Sequence, residues 1–117
     1  MKARLDGFGQ LTIDGAQYDY DVIIEQGEIR KRRKKPSKEY KAQYGHTPLS
    51  VAEELPWHGK QLYIGTGSYG SLPIMPEVYT EAQRRGISII AQPTAELCLQ
   101  FDGMDAHKIN AILHVTC

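Results

Sequence analysis

Leu62-Tyr-Ile-Gly-Thr-Gly-Ser-Tyr-Gly70 is an apolar segment that runs directly into a glycine-rich loop. The apolar residues predict a short buried strand. A loop rich in glycine can expose backbone N–H groups, which bind anions or hold a tight turn. The stretch therefore predicts a small α/β fold with one candidate ligand site, and it leaves the ligand unnamed.

The residues after this loop carry the clearest helix signals in the chain. Pro76 suits the first helical position, Arg84 and Arg85 suit the last turn, and Gly86 suits the end. Residues 87–91 are rich in β-branched side chains and predict a strand. A strand, a helix and a strand within about 30 residues predict a βαβ unit with parallel strands and a right-handed crossover.

The residues before the loop predict antiparallel strands. Asp14-Gly15 lies between alternating residues, which is a strong hairpin signal because both turn positions need a positive φ. Gln26-Gly27 predicts a second turn, and residues 28–34 a third strand. We therefore expect a three-stranded meander over residues 10–34.

Weaker signals fill the rest of the chain. Residues 36–44 are polar and predict an exposed loop, whereas Ser50-Val-Ala-Glu53 matches a capping box and predicts a short helix over residues 51–55. Downstream, a second long helix is expected from Pro93, and a closing strand over residues 109–115. The fold class expected is thus α/β, with N-terminal antiparallel strands, a mixed sheet and flanking helices.

Length and composition predict one soluble domain spanning residues 1–117. The hydrophobic fraction of 41% and the charged fraction of 24% are ordinary for a globular protein. No apolar run approaches the roughly 18 residues of a membrane span, and the N-terminus resembles neither a secretory signal nor a transit peptide. Two cysteines, Cys98 and Cys117, are too few for a disulfide framework, so we expect a cytoplasmic location.

Positive charge is concentrated in one segment. Residues 30–41 hold eight of the fourteen basic side chains and a single acid, Glu39. This segment suggests docking on an acidic protein partner, although a charged edge strand that blocks aggregation is the more common use of such a run. Nucleic acid is a weaker alternative, because the rest of the chain is acidic and repels phosphate. The residues predicted to contact a partner are Arg30, Arg32, Arg33 and Lys34.

The glycine loop matches the G-x-G-x-x-G spacing of dinucleotide-binding folds, but its context differs. The helix begins only at about Pro76, and no acid follows the next strand. The loop is not a phosphate-binding P-loop, because it has no Gly-Lys-Ser/Thr ending. Ser68 does not fit a nucleophile elbow, because the residue two positions before it is not glycine. Two interpretations remain, a cradle for an anion or polar ligand and a purely structural turn. The candidate ligand-binding residues are Gly65, Thr66, Gly67, Ser68, Tyr69 and Ser71.

Neither a metal site nor a catalytic set is evident. His114 and Cys117 are three apart on a predicted strand and would point to opposite faces, and the other histidines are isolated. Cys98 lies on an apolar helix face and is expected in the core. We therefore expect no metal, no cofactor and no catalytic residue.

Four segments, taken in their order and spacing, resemble domain-of-unknown-function family 498 over essentially the whole chain. They are the Asp14-Gly15 hairpin, Tyr-Ile-Gly-Thr-Gly at 63–67, Arg-Arg-Gly-Ile at 84–87 and His-Val-Thr-Cys at 114–117. The resemblance implies a three-layer α/β domain of the Mth-938-like fold. Eukaryotic relatives in that family include a mitochondrial complex I assembly factor and an adipogenesis-associated protein. The resemblance implies no reaction, and the lack of a transit peptide argues against a mitochondrial role here.

Three functional hypotheses follow from these observations. The first is a non-enzymatic binding or assembly protein, because the sequence shows no convergent acid–base or nucleophilic set. The second is a small-molecule enzyme or carrier that acts at the glycine loop, using Ser68, Tyr69 and a histidine such as His46 or His114. The third is nucleic-acid binding through residues 30–41, whose affinity would fall steeply with salt.

Overall fold

The computed structural model describes residues 1–117, which form two β-sheets and three α-helices. None of the helices combines the length and the apolarity that a bilayer crossing needs. The strands are β1 (Ala3–Gly7), β2 (Gln10–Ile13), β3 (Ala16–Tyr18), β4 (Val22–Glu25), β5 (Glu28–Lys31), β6 (Gln61–Thr66), β7 (Ser88–Gln92) and β8 (Ala111–His114). The helices are α1 (Lys41–Tyr44), α2 (Pro76–Arg84) and α3 (Thr94–Gln100), with 3-10 turns at Lys35–Tyr40 and Ala106–Lys108.

The larger sheet is mixed and has the strand order β5-β4-β8-β6-β7. β6 is parallel to both β7 and β8, whereas β4 is antiparallel to β5 and β8. The predicted βαβ unit is confirmed as β6-α2-β7. Since β7 and β8 lie on opposite sides of β6, the order of the strands reverses at β6. Ligands of α/β proteins commonly bind at the carboxyl edge of such a switch point.

Both faces of the larger sheet are covered, which gives the α/β architecture that the sequence predicted. On one face, Leu97 of α3 and Phe101 just after it pack with Leu11 of the small sheet against the central strands. On the other face, Val78 and Ala82 of α2 form the apolar stripe that meets the sheet. These two residues are four apart, as an amphipathic helix requires.

The predicted three-stranded meander is wrong as a single sheet, although its second turn also forms, since β4 and β5 pair antiparallel across Gln26-Gly27. β2 and β3 do turn at Asp14-Gly15, where both residues have positive φ. After β3 the chain crosses to the larger sheet, where Val22, Ile23 and Ile24 are all buried. A strand buried on both faces reads as a continuous apolar run, which is the pattern of a central strand. β1, which pairs with β2, was not among the predicted strands.

The segment that connects β5 to β6 also differs from expectation. No helix forms over residues 51–55, because the carboxylate of Glu53 binds Arg32 instead of capping a helix. Residues 36–44, predicted to be a loop, form most of a 3-10 turn and then α1. Both segments therefore take their conformation from contacts with distant residues.

Candidate functional site

The glycine loop closes over the last two residues of the chain. The loop follows β6, and Gly67 turns it with a φ of +102°. The N–H of Ser68 donates to the carbonyl of Thr116 at 2.6 Å, and the N–H groups of Tyr69 and Ser71 donate to Cys117 O at 3.1 and 3.0 Å. The loop therefore binds a segment of its own chain.

The expectation that these amides face solvent is wrong. The Gly67 N–H donates to Thr94 Oγ1 at 2.9 Å, and the Gly70 N–H donates to Gly67 O at 3.3 Å. Every amide from Gly67 to Ser71 thus has an acceptor within the chain. The physical reason is that β8 lies next to β6, so the residues after β8 enter the crevice at the switch point.

Ligand binding by residues 65–71 stays a prediction with fewer groups to support it. Gly65 and Thr66 are buried in β6, and the loop amides are occupied. The side chains of Tyr69 and Ser71 are exposed, so a ligand at this loop would have to contact those.

We call residues 30–41 the basic segment. Arg32 belongs to it, but its side chain is buried and does not face a partner. Its Nε and Nη2 donate to the two carboxylate oxygens of Glu53 at 2.8 and 2.9 Å, and Nη1 donates to Asp21 Oδ2 at 2.9 Å. Nη2 also donates to Pro48 O at 3.0 Å. Burial alone lowers the pKa of Arg32, but the hydrogen bonds and charges of Glu53 and Asp21 together outweigh it and raise that pKa. The predicted partner contact at Arg32 is therefore wrong.

Asp21 joins Arg32 to the C-terminal segment. Its Oδ2 accepts a second hydrogen bond from His114 Nδ1 at 2.7 Å, and its Oδ1 accepts one from the Val115 N–H at 2.9 Å. Burial raises the pKa of Asp21, but the hydrogen bond and charge of His114 together with the Arg32 charge bring it below its ordinary value. Asp21 is therefore an ionised acceptor at neutral pH.

His114 connects this ion pair to a hydroxyl at the surface. Its Nε2 lies 3.3 Å from Thr116 Oγ1, and the Thr116 side chain is half-buried. Thr116 lines a cavity of about 240 Å³ together with Tyr20, Lys31 and Lys34. We call Asp21, Arg32, Glu53 and His114 the Arg32 cluster, and Thr116 marks the point where it meets solvent.

The polar atoms of the Arg32 cluster are all satisfied. Ser37 Oγ donates to Glu53 Oε2 at 2.5 Å and lies 2.6 Å from Ser50 Oγ. No buried side-chain nitrogen or oxygen in the protein lacks a hydrogen-bond partner. A buried charge cluster of this kind holds its members in one geometry.

The other predicted partner residues fall into two groups. Arg30 is half-buried and donates to Glu25 and to the carbonyl of Glu54, each at 3.0 Å. Arg33 and Lys34 are exposed and form no ion pair. The exposed cations of the segment without an ion pair are Lys31, Arg33, Lys34, Lys35, Lys38 and Lys41.

Three other residues singled out in the sequence have clear positions. His114 lies beside the glycine loop because it pairs with Thr66 across β6 and β8, whereas His46 is exposed and forms no hydrogen bond with the loop. Cys98 is buried in the core as expected, and burial raises the pKa of its thiol to about 11, which keeps it protonated and unreactive.

The Arg32 cluster was missed because its members are far apart in sequence. Asp21 and Glu53 lie eleven and twenty-one residues from Arg32, and His114 lies ninety-three residues from Asp21. One local signal was available, since Asp21 directly precedes the apolar run Val22-Ile23-Ile24. A carboxylate in that position needs a partner, because an unpaired buried charge is costly.

No family model matches the chain, and no curated protein matches it either. Among solved structures, it is similar to "conserved hypothetical protein PH1505" from Pyrococcus horikoshii OT3, with 30% identity, a TM-score of 0.74 and coverage of 100% of both chains. It is also similar to a structure described as MT938, with 22% identity, a TM-score of 0.64, and coverage of 94% of this chain and 93% of that one. The second similarity shows a common α/β fold, and assignment to domain-of-unknown-function family 498 stays a prediction.

Proposed function

The chain belongs to the same family as the conserved hypothetical protein PH1505 from Pyrococcus horikoshii OT3, and from that premise we propose that it is a single-domain binding or assembly protein that docks on an acidic protein surface. One observation carries the proposal. Residues 31–41 present six exposed cations, and none of them forms an ion pair with an acid of the same chain.

The basic segment is held in place from inside. Arg32 anchors it through Asp21 and Glu53, and the fully buried Ser37 anchors it again through Glu53. The cations between and beyond these two anchors are therefore carried on a fixed backbone. A preorganised surface loses less conformational entropy when it binds, which favours docking.

The exposed arginines outside the basic segment have intramolecular partners, whereas the isolated Lys2, Lys60 and Lys108 have none. Arg84 and Arg85 both bind Glu81, and Arg4 binds Asp6. In the basic segment the positive charges instead repel one another. A partner that offers carboxylates would relieve that repulsion and would be attracted over a distance.

Protection of a sheet edge accounts for only part of the segment. β5 is an edge strand of the larger sheet, but it ends at Lys31. The cations from Arg33 to Lys41 lie beyond the strand, where they protect no backbone from pairing. Nucleic acid is less well suited than protein, since Tyr40 and Tyr44 are half-buried and offer few surfaces on which bases could stack.

The experiment is a charge reversal with a matched control. The test variant is Arg33→Glu/Lys35→Glu/Lys38→Glu, and the control Lys2→Glu/Lys60→Glu/Lys108→Glu changes net charge equally at exposed cations elsewhere. Partners captured from an extract of the source organism are identified, purified and titrated against each protein at about 50 to 300 mM salt. We expect an acidic partner that binds wild type and control, and binds the test variant at least tenfold more weakly.

Three outcomes would contradict docking on an acidic protein. The test variant could retain full affinity, no purified partner could rebind at the lowest salt, or the captured material could be nucleic acid. Circular dichroism of each variant shows whether it is folded, and exposed substitutions of this kind change stability by about 0.5 kcal/mol or less.

A further inference from the structure

We propose that the chain also carries an acyl-transfer site, in which Thr116 Oγ1 attacks the carbonyl of a small anionic ester or thioester and His114 is the general base. Docking through the basic segment and acyl transfer at Thr116 are independent, and neither requires the other.

The roles of the three side chains follow from Asp21. Its ionised carboxylate only accepts hydrogen bonds, so His114 must donate from Nδ1 across the 2.7 Å contact. In the neutral imidazole, Nε2 then carries the lone pair, 3.3 Å from Thr116 Oγ1. The hydroxyl can donate to Nε2, which is the order of groups that activates a nucleophilic hydroxyl in acyl-transfer enzymes.

Arg32 and Val115 strengthen this assignment. The Arg32 guanidinium and the Val115 N–H also donate to Asp21, and these two hydrogen bonds hold the carboxylate in position against His114. Asp21 is accordingly a positioning residue, which fixes the tautomer and the ring orientation of His114. A rigidly held imidazole costs no reorganisation when the proton is transferred.

Thr116 is the member of this group that solvent can reach. It lines the 240 Å³ cavity, and the cationic residues Lys31 and Lys34 line the same cavity. Asp19 also lines the cavity and offsets one of these two charges. The cavity therefore favours a substrate with a single negative charge on its acyl group.

Backbone donors are available beside the nucleophile. The carbonyls of Thr116 and Cys117 accept hydrogen bonds from the glycine loop, but the N–H groups of these two residues donate none within the protein. In hydrolases the amide of the nucleophile, or of the residue after it, stabilises the oxyanion of the tetrahedral intermediate. The glycine loop thus holds the carbonyl groups of Thr116 and Cys117 and leaves the N–H groups of these two residues free to donate to a substrate.

The reaction balances without a cofactor. Thr116 Oγ1 forms a bond to the carbonyl carbon, and its proton passes to His114 Nε2. The bond from carbon to the leaving oxygen or sulfur then breaks, its electron pair leaves with that atom, and Nε2 returns the proton to it. Water repeats the sequence on the acyl-threonine, giving the free acid and restoring the hydroxyl.

The test is acylation by mono-4-nitrophenyl succinate, whose acyl group carries one negative charge, with neutral 4-nitrophenyl acetate as the comparison. We expect a stoichiometric burst of 4-nitrophenolate, faster with the anionic ester, and an acyl adduct on Thr116 by peptide mapping. Thr116→Ala should abolish the adduct and Thr116→Ser should retain it, whereas Thr80→Ala, an exposed threonine on α2, should acylate at the wild-type rate. His114→Gln should slow acylation about 100-fold or more.

The positioning role of Asp21 is tested by a measurement that a loss of stability alone would not change. Nitrogen NMR of His114 in Asp21→Asn should show a shift from the Nδ1–H to the Nε2–H tautomer. An adduct that maps to Cys117 or Lys31 instead of Thr116 would overturn the proposal. So would a folded Thr116→Ala variant that releases 4-nitrophenolate at the wild-type rate.

Discussion

Arg32 is one of six consecutive basic residues, and its side chain is the one that is fully buried. Arginine suits this position because its planar fork can bind two carboxylates at once and still donate to a carbonyl. Removal of the guanidinium would leave Glu53 as a buried carboxylate without a cationic partner and Asp21 with His114 alone. This is the most costly kind of change to a buried ion pair.

We therefore expect Arg32→Ala to lower the free energy of unfolding by about 3–5 kcal/mol. The neighbouring Arg33→Ala is the matched control, because Arg33 is exposed and unpaired, and it should change the same quantity by about 0.5 kcal/mol or less. Urea denaturation followed by circular dichroism measures both. Equal effects of the two substitutions would contradict the buried position of Arg32.

The sequence could show that residues 30–35 are cationic but not which of them is inside. The composition of a run of basic residues does not show which of them is buried. Alternation along a strand only assigns the side chains to two opposite faces. The deciding partners, Asp21 and Glu53, are distant in sequence, and Glu53 had been assigned to a helix cap. The burial of Arg32 is thus a tertiary property with no local signal.

At the scale of elements, the glycine loop and the end of the chain form one structural unit. A Cβ built on Gly67 would contact the backbone of Cys117 and lie 2.6 Å from Thr116 O, and its φ of +102° is unfavourable for other residues. Gly45 also has a positive φ, +78°, but a Cβ there meets nothing within 4 Å. Substitutions at these two glycines therefore distinguish the cost of crowding from the cost of backbone strain.

Gly67→Ala should lower the free energy of unfolding by about 2–5 kcal/mol, from strain and overpacking together. Gly45→Ala should cost only the strain of a left-handed conformation, roughly 1–2 kcal/mol. Hydrogen exchange at the Ser68, Tyr69 and Ser71 amides gives the second measurement, and it should accelerate in Gly67→Ala alone. If Gly67→Ala keeps the protection of these amides, the loop does not hold residues 116–117 as described.

Elements with strong local signals were predicted well. α2 begins at Pro76 as expected, β6 and β7 are parallel, and the hairpin turns at Asp14-Gly15. The occupancy of the glycine loop could not be predicted, because it depends on β8 lying beside β6. A G-x-G spacing indicates that the backbone approaches something closely, and here that neighbour is the chain itself.

For the molecule as a whole, the net charge of zero conceals a separation of charge. This separation was evident from composition, but the state of each charge was not. The structure shows that one cation of the basic segment is neutralised inside, that Arg30 is paired at the surface, and that six cations stay exposed and unpaired. These six charges repel one another in the free protein, and this repulsion lowers its stability. Composition alone does not show where in the structure such repulsion acts.

Neutralising part of the segment should therefore stabilise the free protein. Lys35→Gln/Lys38→Gln/Lys41→Gln removes neighbouring like charges and should raise the free energy of unfolding by about 0.5 kcal/mol at low salt. The control Lys2→Gln/Lys60→Gln/Lys108→Gln changes the net charge equally but removes isolated cations, so it should bring no such gain. The difference between the two should vanish at about 1 M salt, where the Debye length is about 3 Å. A fall in stability on neutralising Lys35, Lys38 and Lys41 would mean that these cations already have partners within the chain.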